Sequence, residues 1–129
     1  MPRIFNPVDI SQEEKEVRKD YFDRHTPVII CDSYATEGEK IKVKVRLGTE
    51  YSHPDDPAHF INYVQLWNRE TFIAEVHFAP GTLGNKPERV EVDFYIVPGA
   101  VTMNLSAMSV CTKHGLWQSE SKEVAIRKS

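Results

Sequence analysis

From position 40 the chain reads Lys40-Ile41-Lys42-Val43-Lys44-Val45-Arg46-Leu47, alternating without a break between a cation and an aliphatic residue. A period of two sends one set of side chains into water and the other against a core, which predicts a strand with a wet basic face. The same period returns over residues 89–97, with Val90, Val92, Phe94 and Ile96 on one face. Over residues 100–110 it places Val101, Met103, Leu105 and Ala107 inward. Residues 60–67 and 71–78 read as two further strands, and the short link Asn68-Arg69-Glu70 predicts a hairpin between them. One more strand begins after Pro27, and residues 122–126 close the series. Seven short strands, separated by turns such as Pro98-Gly99 and by the loop at residues 80–87, predict an all-β, antiparallel sandwich. Ahead of them, Ser11-Gln12-Glu13-Glu14 matches a capping box, and Glu14 and Arg18 sit four apart, so a short helix is expected over residues 12–21. The expected organisation is one domain over residues 1–129. Residues 1–22 form an arm and short helix, and residues 23–129 form the sandwich.

Composition narrows the function. Of the 129 residues, 40% are hydrophobic and 27% charged, as in ordinary soluble domains. No apolar run approaches the ~20 residues of a membrane span. Met1-Pro2-Arg3-Ile4-Phe5 lacks the apolar core of an export signal, so the expected location is cytoplasmic, with no membrane partner. The net charge of -3 argues against nucleic acid as a partner, because the lysines at 40–44 belong to a solvated strand face. Glu91 and Asp93 alternate with apolar residues in the same way, so no paired-carboxylate hydrolase is indicated. Two cysteines are too few for a disulfide scaffold. Cys31 ends an apolar run and reads as a small buried hydrophobe. His77, in Ala74-Glu75-Val76-His77-Phe78, reads as a surface strand residue.

The other four histidines lie in loop-like contexts: His25 before Thr26-Pro27, His53 before Pro54, His59 after Pro57-Ala58, and His114 before Gly115. A sandwich gathers its loops at two ends, where residues distant in sequence converge. Imidazole nitrogen and thiolate sulfur are good ligands for divalent transition metals, and Cys111 with His114 forms a Cys-x-x-His pair. On these residues alone, zinc, copper and iron all remain open. A cupredoxin-like copper carrier would need an axial methionine after its last histidine, and none follows His114. A structural zinc in a non-enzymatic module would leave a fifth ligand unexplained.

Asp23-Arg24-His25-Thr26-Pro27-Val28-Ile29, then His53-Pro54 with His59 six residues on, then Cys111-Thr112-Lys113-His114-Gly115-Leu116-Trp117 resemble, in that order, the superoxide reductase family. That family includes the neelaredoxins and the catalytic domain of desulfoferrodoxin. The resemblance implies a seven-stranded immunoglobulin-like sandwich and a mononuclear non-haem iron cycling between ferrous and ferric. It implies His25, His53, His59 and His114 as four equatorial nitrogen ligands and Cys111 as the axial sulfur. The implied activity is one-electron reduction of superoxide to hydrogen peroxide, with the thiolate donating electron density through the metal. It also implies an external electron donor such as rubredoxin and a homo-oligomer, dimer or tetramer. No Cys-x-x-Cys pair is present for a rubredoxin-like module of the chain's own.

The chain departs from the family at three places. Asp23 stands for a glutamate that can bind ferric iron at the open position, and it is one methylene shorter. Arg24 stands for a lysine that attracts superoxide; the charge is kept, but a guanidinium is planar and does not give up a proton. Asp55, Asp56 and Pro57 replace more neutral residues, and two carboxylates beside the site would weaken attraction of an anion. Lys113, between the last two ligands, is a further local cation. The candidate catalytic residues are therefore Asp23, Arg24 and Lys113.

Overall fold

The structure, a computed structural model, describes residues 18–129. Among the described residues are one short helix, α1 (Lys19–His25), and nine strands. These are β1 (Pro27–Ile30), β2 (Tyr34–Thr36), β3 (Ile41–Leu47), β4 (Ile61–Asn68), β5 (Thr71–His77), β6 (Glu91–Ile96), β7 (Met103–Cys111), β8 (Gly115–Gln118) and β9 (Lys122–Arg127). A three-stranded sheet runs β1-β3-β6. A larger sheet runs β2-β9-β7-β4-β5, with β8 continuing the edge of β7 that β9 leaves free. All pairings are antiparallel except β2 with β9, which is parallel. The expected sandwich is thus present, and β2 and β8 are the short additions to the seven strands expected.

Alternation does the folding work. Val43, Val45 and Leu47 of β3 are at most 1% exposed, while Lys44 on the opposite face pairs with Asp93 of β6 at 3.1 Å. From the larger sheet, Val64, Leu66, Leu105, Ala107 and Val124 meet these residues in one continuous core. Burying each of these valines and leucines contributes roughly 1.5–3 kcal/mol, so register is strongly set wherever one face is covered.

One expectation of burial changes, and one bulge turns a large side chain outward. Val101 is 72% exposed, because β7 begins at Met103, where pairing with Val124 starts. Phe72 is 47% exposed, because a bulge shifts register between Leu66 and Trp67 and turns Phe72 outward against the Trp67 ring. The capping box at Ser11 and most of the helix expected over residues 12–21 lie outside the described residues. The described helix overlaps its end and continues to His25. It stops there because Pro27 forces Thr26 out of helical geometry, at ψ 119°. Among the described residues no helix is long and apolar enough to cross a membrane.

Candidate metal centre

β1 leaves from the end of α1, so the helix delivers His25 to one end of the small sheet. The Ser109 hydroxyl donates to the His25 carbonyl at 3.1 Å and ties the helix end to β7. The same end of β3 leads through Gly48–Tyr51 to His53. His53 exchanges two backbone hydrogen bonds with Glu88, each 3.0 Å, just before β6. In the larger sheet, His59 closes a tight turn with Asp56 ahead of β4, and Cys111 is the last residue of β7. His114 sits in the turn from β7 to β8, and Gly115, at φ +80°, makes that reversal possible. The Phe60 carbonyl accepts from the Thr112 amide at 3.0 Å, holding the two loop segments of the larger sheet together.

The four imidazoles form a square. Ring centroids are 4.9 Å apart for His25–His53, 4.8 Å for His53–His59, 4.9 Å for His59–His114 and 4.9 Å for His114–His25. Neighbouring planes are nearly perpendicular, and the diagonal pair His25–His59 lies within 24° of parallel at 6.5 Å. One ligand atom each from His25, His59, Cys111 and His114 falls within 4.8 Å of the others. His53 lies outside that group of four, yet it occupies a corner of the square.

Hydrogen bonds fix which nitrogen faces in. His25 donates from Nδ1 to the Tyr21 carbonyl at 2.6 Å, and His53 donates from Nδ1 to the Pro54 carbonyl at 2.7 Å. A carbonyl only accepts, so both rings carry their proton on Nδ1 and turn an Nε2 lone pair inward. His25 Nε2 stands 3.2 Å from His114 Nδ1, which is 3.6 Å from Cys111 Sγ. The Nε2 atoms of His53 and His59 are buried without a hydrogen-bond partner. Orphaned buried polar atoms are costly, and a cation that accepts these converging lone pairs removes the cost.

Burial favours the neutral form of His25, His53 and His59, the form that ligation requires. His53 is pushed down to about 4 by burial, against the opposing Pro54 carbonyl and with help from the neighbouring imidazoles. His25 is lowered by burial despite its bond to Tyr21, and His59 is lowered by burial and then by His114 and Lys113.

The other sequence candidates stand around this square. Asp23 does not turn a free carboxylate toward it. The two oxygens accept from the Thr49 amide at 2.9 and 3.1 Å, the Thr49 hydroxyl at 2.8 Å, the Glu50 amide at 2.9 Å and the Tyr51 amide at 2.8 Å. Burial would raise its pKa, but these donors together hold it below the usual value. Arg24 donates to the Ser52 carbonyl at 3.2 Å and lies over the Tyr51 ring, beside His53. Lys113 is exposed in the β7–β8 turn. Asp55 is 6% exposed and accepts from the amides of Gly81, Leu83 and Asn85, so it organises a turn and is not a free surface charge. Asp56 accepts from the Ala58 amide within its own turn. His77 is exposed on β5, paired with Glu75 and outside the square.

Sequence reasoning missed Tyr21 and Gly48. Tyr21 supplies the carbonyl that orients His25, and its ring lies 5.2 Å from His114 and 5.4 Å from Trp117. Trp117 stacks on His25 at 4.9 Å and 15°, as a wall of the site. The spacing of Tyr21 four residues before His25 was the available signal. For Gly48 there was only a glycine following a strand.

The desulfoferrodoxin family model matches residues 12–120 of the chain. The superoxide reductase of Pyrococcus furiosus is 34% identical over 110 residues, covering 76% of this chain and 86% of that protein. The superoxide reductase of Thermococcus kodakarensis is 35% identical over 105 residues, covering 76% and 85%. Among solved structures, a variant of the superoxide reductase (neelaredoxin) from Ignicoccus hospitalis superposes with a TM-score of 0.71 at 27% identity, covering 90% of each chain.

Proposed function

The chain belongs to the desulfoferrodoxin family, and on that premise we propose that it is a superoxide reductase with one non-haem iron held by His25, His53, His59, His114 and Cys111. The observation that carries this reading is the square of imidazoles beside a buried thiol, with two Nε2 atoms orphaned. That donor set suits a transition metal that accepts both imidazole and thiolate. When bound, ferrous iron supplies the single electron that, with two protons, converts superoxide to hydrogen peroxide, and a thiolate ligand favours product release.

The chain's own groups do the rest. Tyr21 and Pro54 hold the tautomers of His25 and His53 through their carbonyls. Trp117 and Tyr21 shield the His25–His114 side of the square from water. Arg24, anchored to Ser52, and exposed Lys113 supply positive charge that draws a small anion inward. A guanidinium stays protonated, so Arg24 steers and orients, and the two protons come from solvent. Electrons come from a separate donor such as rubredoxin, and the chain works in the cytoplasm as a homo-oligomer.

The test is a pulse of superoxide onto anaerobically reduced, iron-loaded protein. One peroxide per superoxide, with one iron oxidised and no oxygen evolved, is the expected result. Iron that stays ferrous while superoxide persists sinks the enzymatic reading. Arg24→Ala should then slow the bimolecular step and flatten its dependence on ionic strength.

A further inference from the structure

The Asp23 carboxylate is the most heavily hydrogen-bonded side chain around the metal centre, and none of its partners belongs to a ligand. Three consecutive backbone amides, Thr49, Glu50 and Tyr51, converge on it together with the Thr49 hydroxyl. The loop approaches so closely that a Cβ on Gly48 would stand 2.4 Å from the Asp23 carbonyl oxygen and 2.9 Å from Oδ2. Gly48, at φ +79°, also donates to the Thr26 carbonyl at 3.0 Å, so the loop is laced to both sides of His25. The last amide in this series is two residues before His53. The helix carrying Asp23 ends on His25, and the rings of His25 and His53 are adjacent corners of the square.

We propose that Asp23 is a positioning residue that latches the Gly48–Tyr51 loop onto α1 and so sets His53 against His25, leaving its carboxylate engaged and not available to the metal. The proposal rests on the ligand set of the reading above, but not on the reaction. A second carboxylate of the same kind, Asp55, organises the turn at residues 81–85 on the far side of His53. Asp23 joins the segments that bear two neighbouring ligands, with four donors where Arg24 and Gly48 each add one hydrogen bond across the same seam.

A double-mutant cycle on metal affinity tests it, with the full chain loaded with cobalt(II) as the probe and competed against a chelator. Asp23→Ala should loosen cobalt by about 10–100-fold in the wild-type and His59→Ala backgrounds, the range for lost outer partners of a ligand. In the His53→Ala background it should cost less than about twofold, because the ligand it serves is gone. Hydrogen exchange at Thr49, Glu50 and Tyr51 should accelerate in Asp23→Ala. Should that variant fail to fold, Thr49→Val, which removes only the hydroxyl donor, should show the same coupling at smaller size.

Equal losses in both histidine backgrounds would overturn the latch in favour of general destabilisation. So would a ferric iron-loaded Asp23→Ala protein whose visible absorption shifts while cobalt affinity and amide protection stay at wild-type values, since that is the mark of a lost direct ligand. A His53→Ala chain that holds cobalt as tightly as wild type would remove the ligand set beneath the proposal, and the latch with it. None of these readouts depends on superoxide turnover.

Discussion

The small sheet brings His25 and His53 to the square, and the larger sheet brings His59, Cys111 and His114. His25 and His53 are each 2% exposed and are fixed through Nδ1 by backbone carbonyls. Neither His59 nor His114 is among the buried residues, and among the described residues His59 Nε2 has no hydrogen-bond partner. The larger sheet compensates with Cys111, which is 1% exposed at the end of its central strand and cannot shift without disturbing pairs on both sides. One half of the site is therefore preorganised through its imidazoles and the other through its sulfur. Ligands that are already oriented lose less freedom on binding, so equal truncations in the two halves should have unequal effects.

The largest expected effect tests the sulfur side. Cys111→Ala should abolish the thiolate-dependent visible absorption of the oxidised iron-loaded protein, read in a simple spectrum, while far-UV circular dichroism stays sheet-like. An unchanged spectrum would remove Cys111 from the ligand set. Next, His53→Ala and His59→Ala should separate the halves. Chelator competition should show a larger loss for the pinned ligand than for the unpinned one, because an already oriented donor gives up less freedom on binding. Equal losses would mean that pinning contributes nothing.

A third expectation uses pH on the metal-free chain. His53 titrates at about 4 when folded, against 6.5 for a free imidazole. Between those values the unfolded chain takes up a proton that the folded chain refuses. The stability this contributes is fully present above pH 6.5 and is lost as pH falls toward 4, by at most about 3 kcal/mol. Denaturant unfolding across that window should show the decline, and His53→Gln should flatten it. The smallest effect is a control outside both halves. His77→Gln, on the exposed face of β5, should leave cobalt affinity and superoxide reactivity unchanged within error.

Much of this architecture was legible in the residues. Strict alternation at residues 40–47 and 89–97 marks strands because one face of each meets water, and turn residues mark where they stop. The five candidate ligands were marked by the family resemblance, and local context agreed with it, since imidazoles beside proline and glycine fall at sandwich ends and Cys-x-x-His fits one tight turn. What escaped depends on contacts far apart in the chain. Asp23 meets residues 26 to 28 positions away, which no local pattern records. Asp55 looked like a surface charge until the turn at residues 81–85 came back over it. The bulge that exposes Phe72 reverses a parity that sequence alone assumes to continue. β8 was hidden inside the ligand motif, where Gly115-Leu116-Trp117 serves both as strand and as support for His114.

The division of ligands between two sheets has a mechanical consequence. His25 and His114 are 89 positions apart, and between the sheets that carry them lie a shared apolar core and the Ser109 hydrogen bond to the His25 carbonyl. An ion held by both sheets is a cross-link across the open end of the sandwich. A covalent tie over a loop of that length would remove about 4–5 kcal/mol of freedom from the unfolded chain. A cation that binds only the assembled square acts by mass action, adding about 4 kcal/mol at a thousandfold excess over its dissociation constant. Under the proposed ligand set, the stability of the fold would thereby be coupled to the metal available around it.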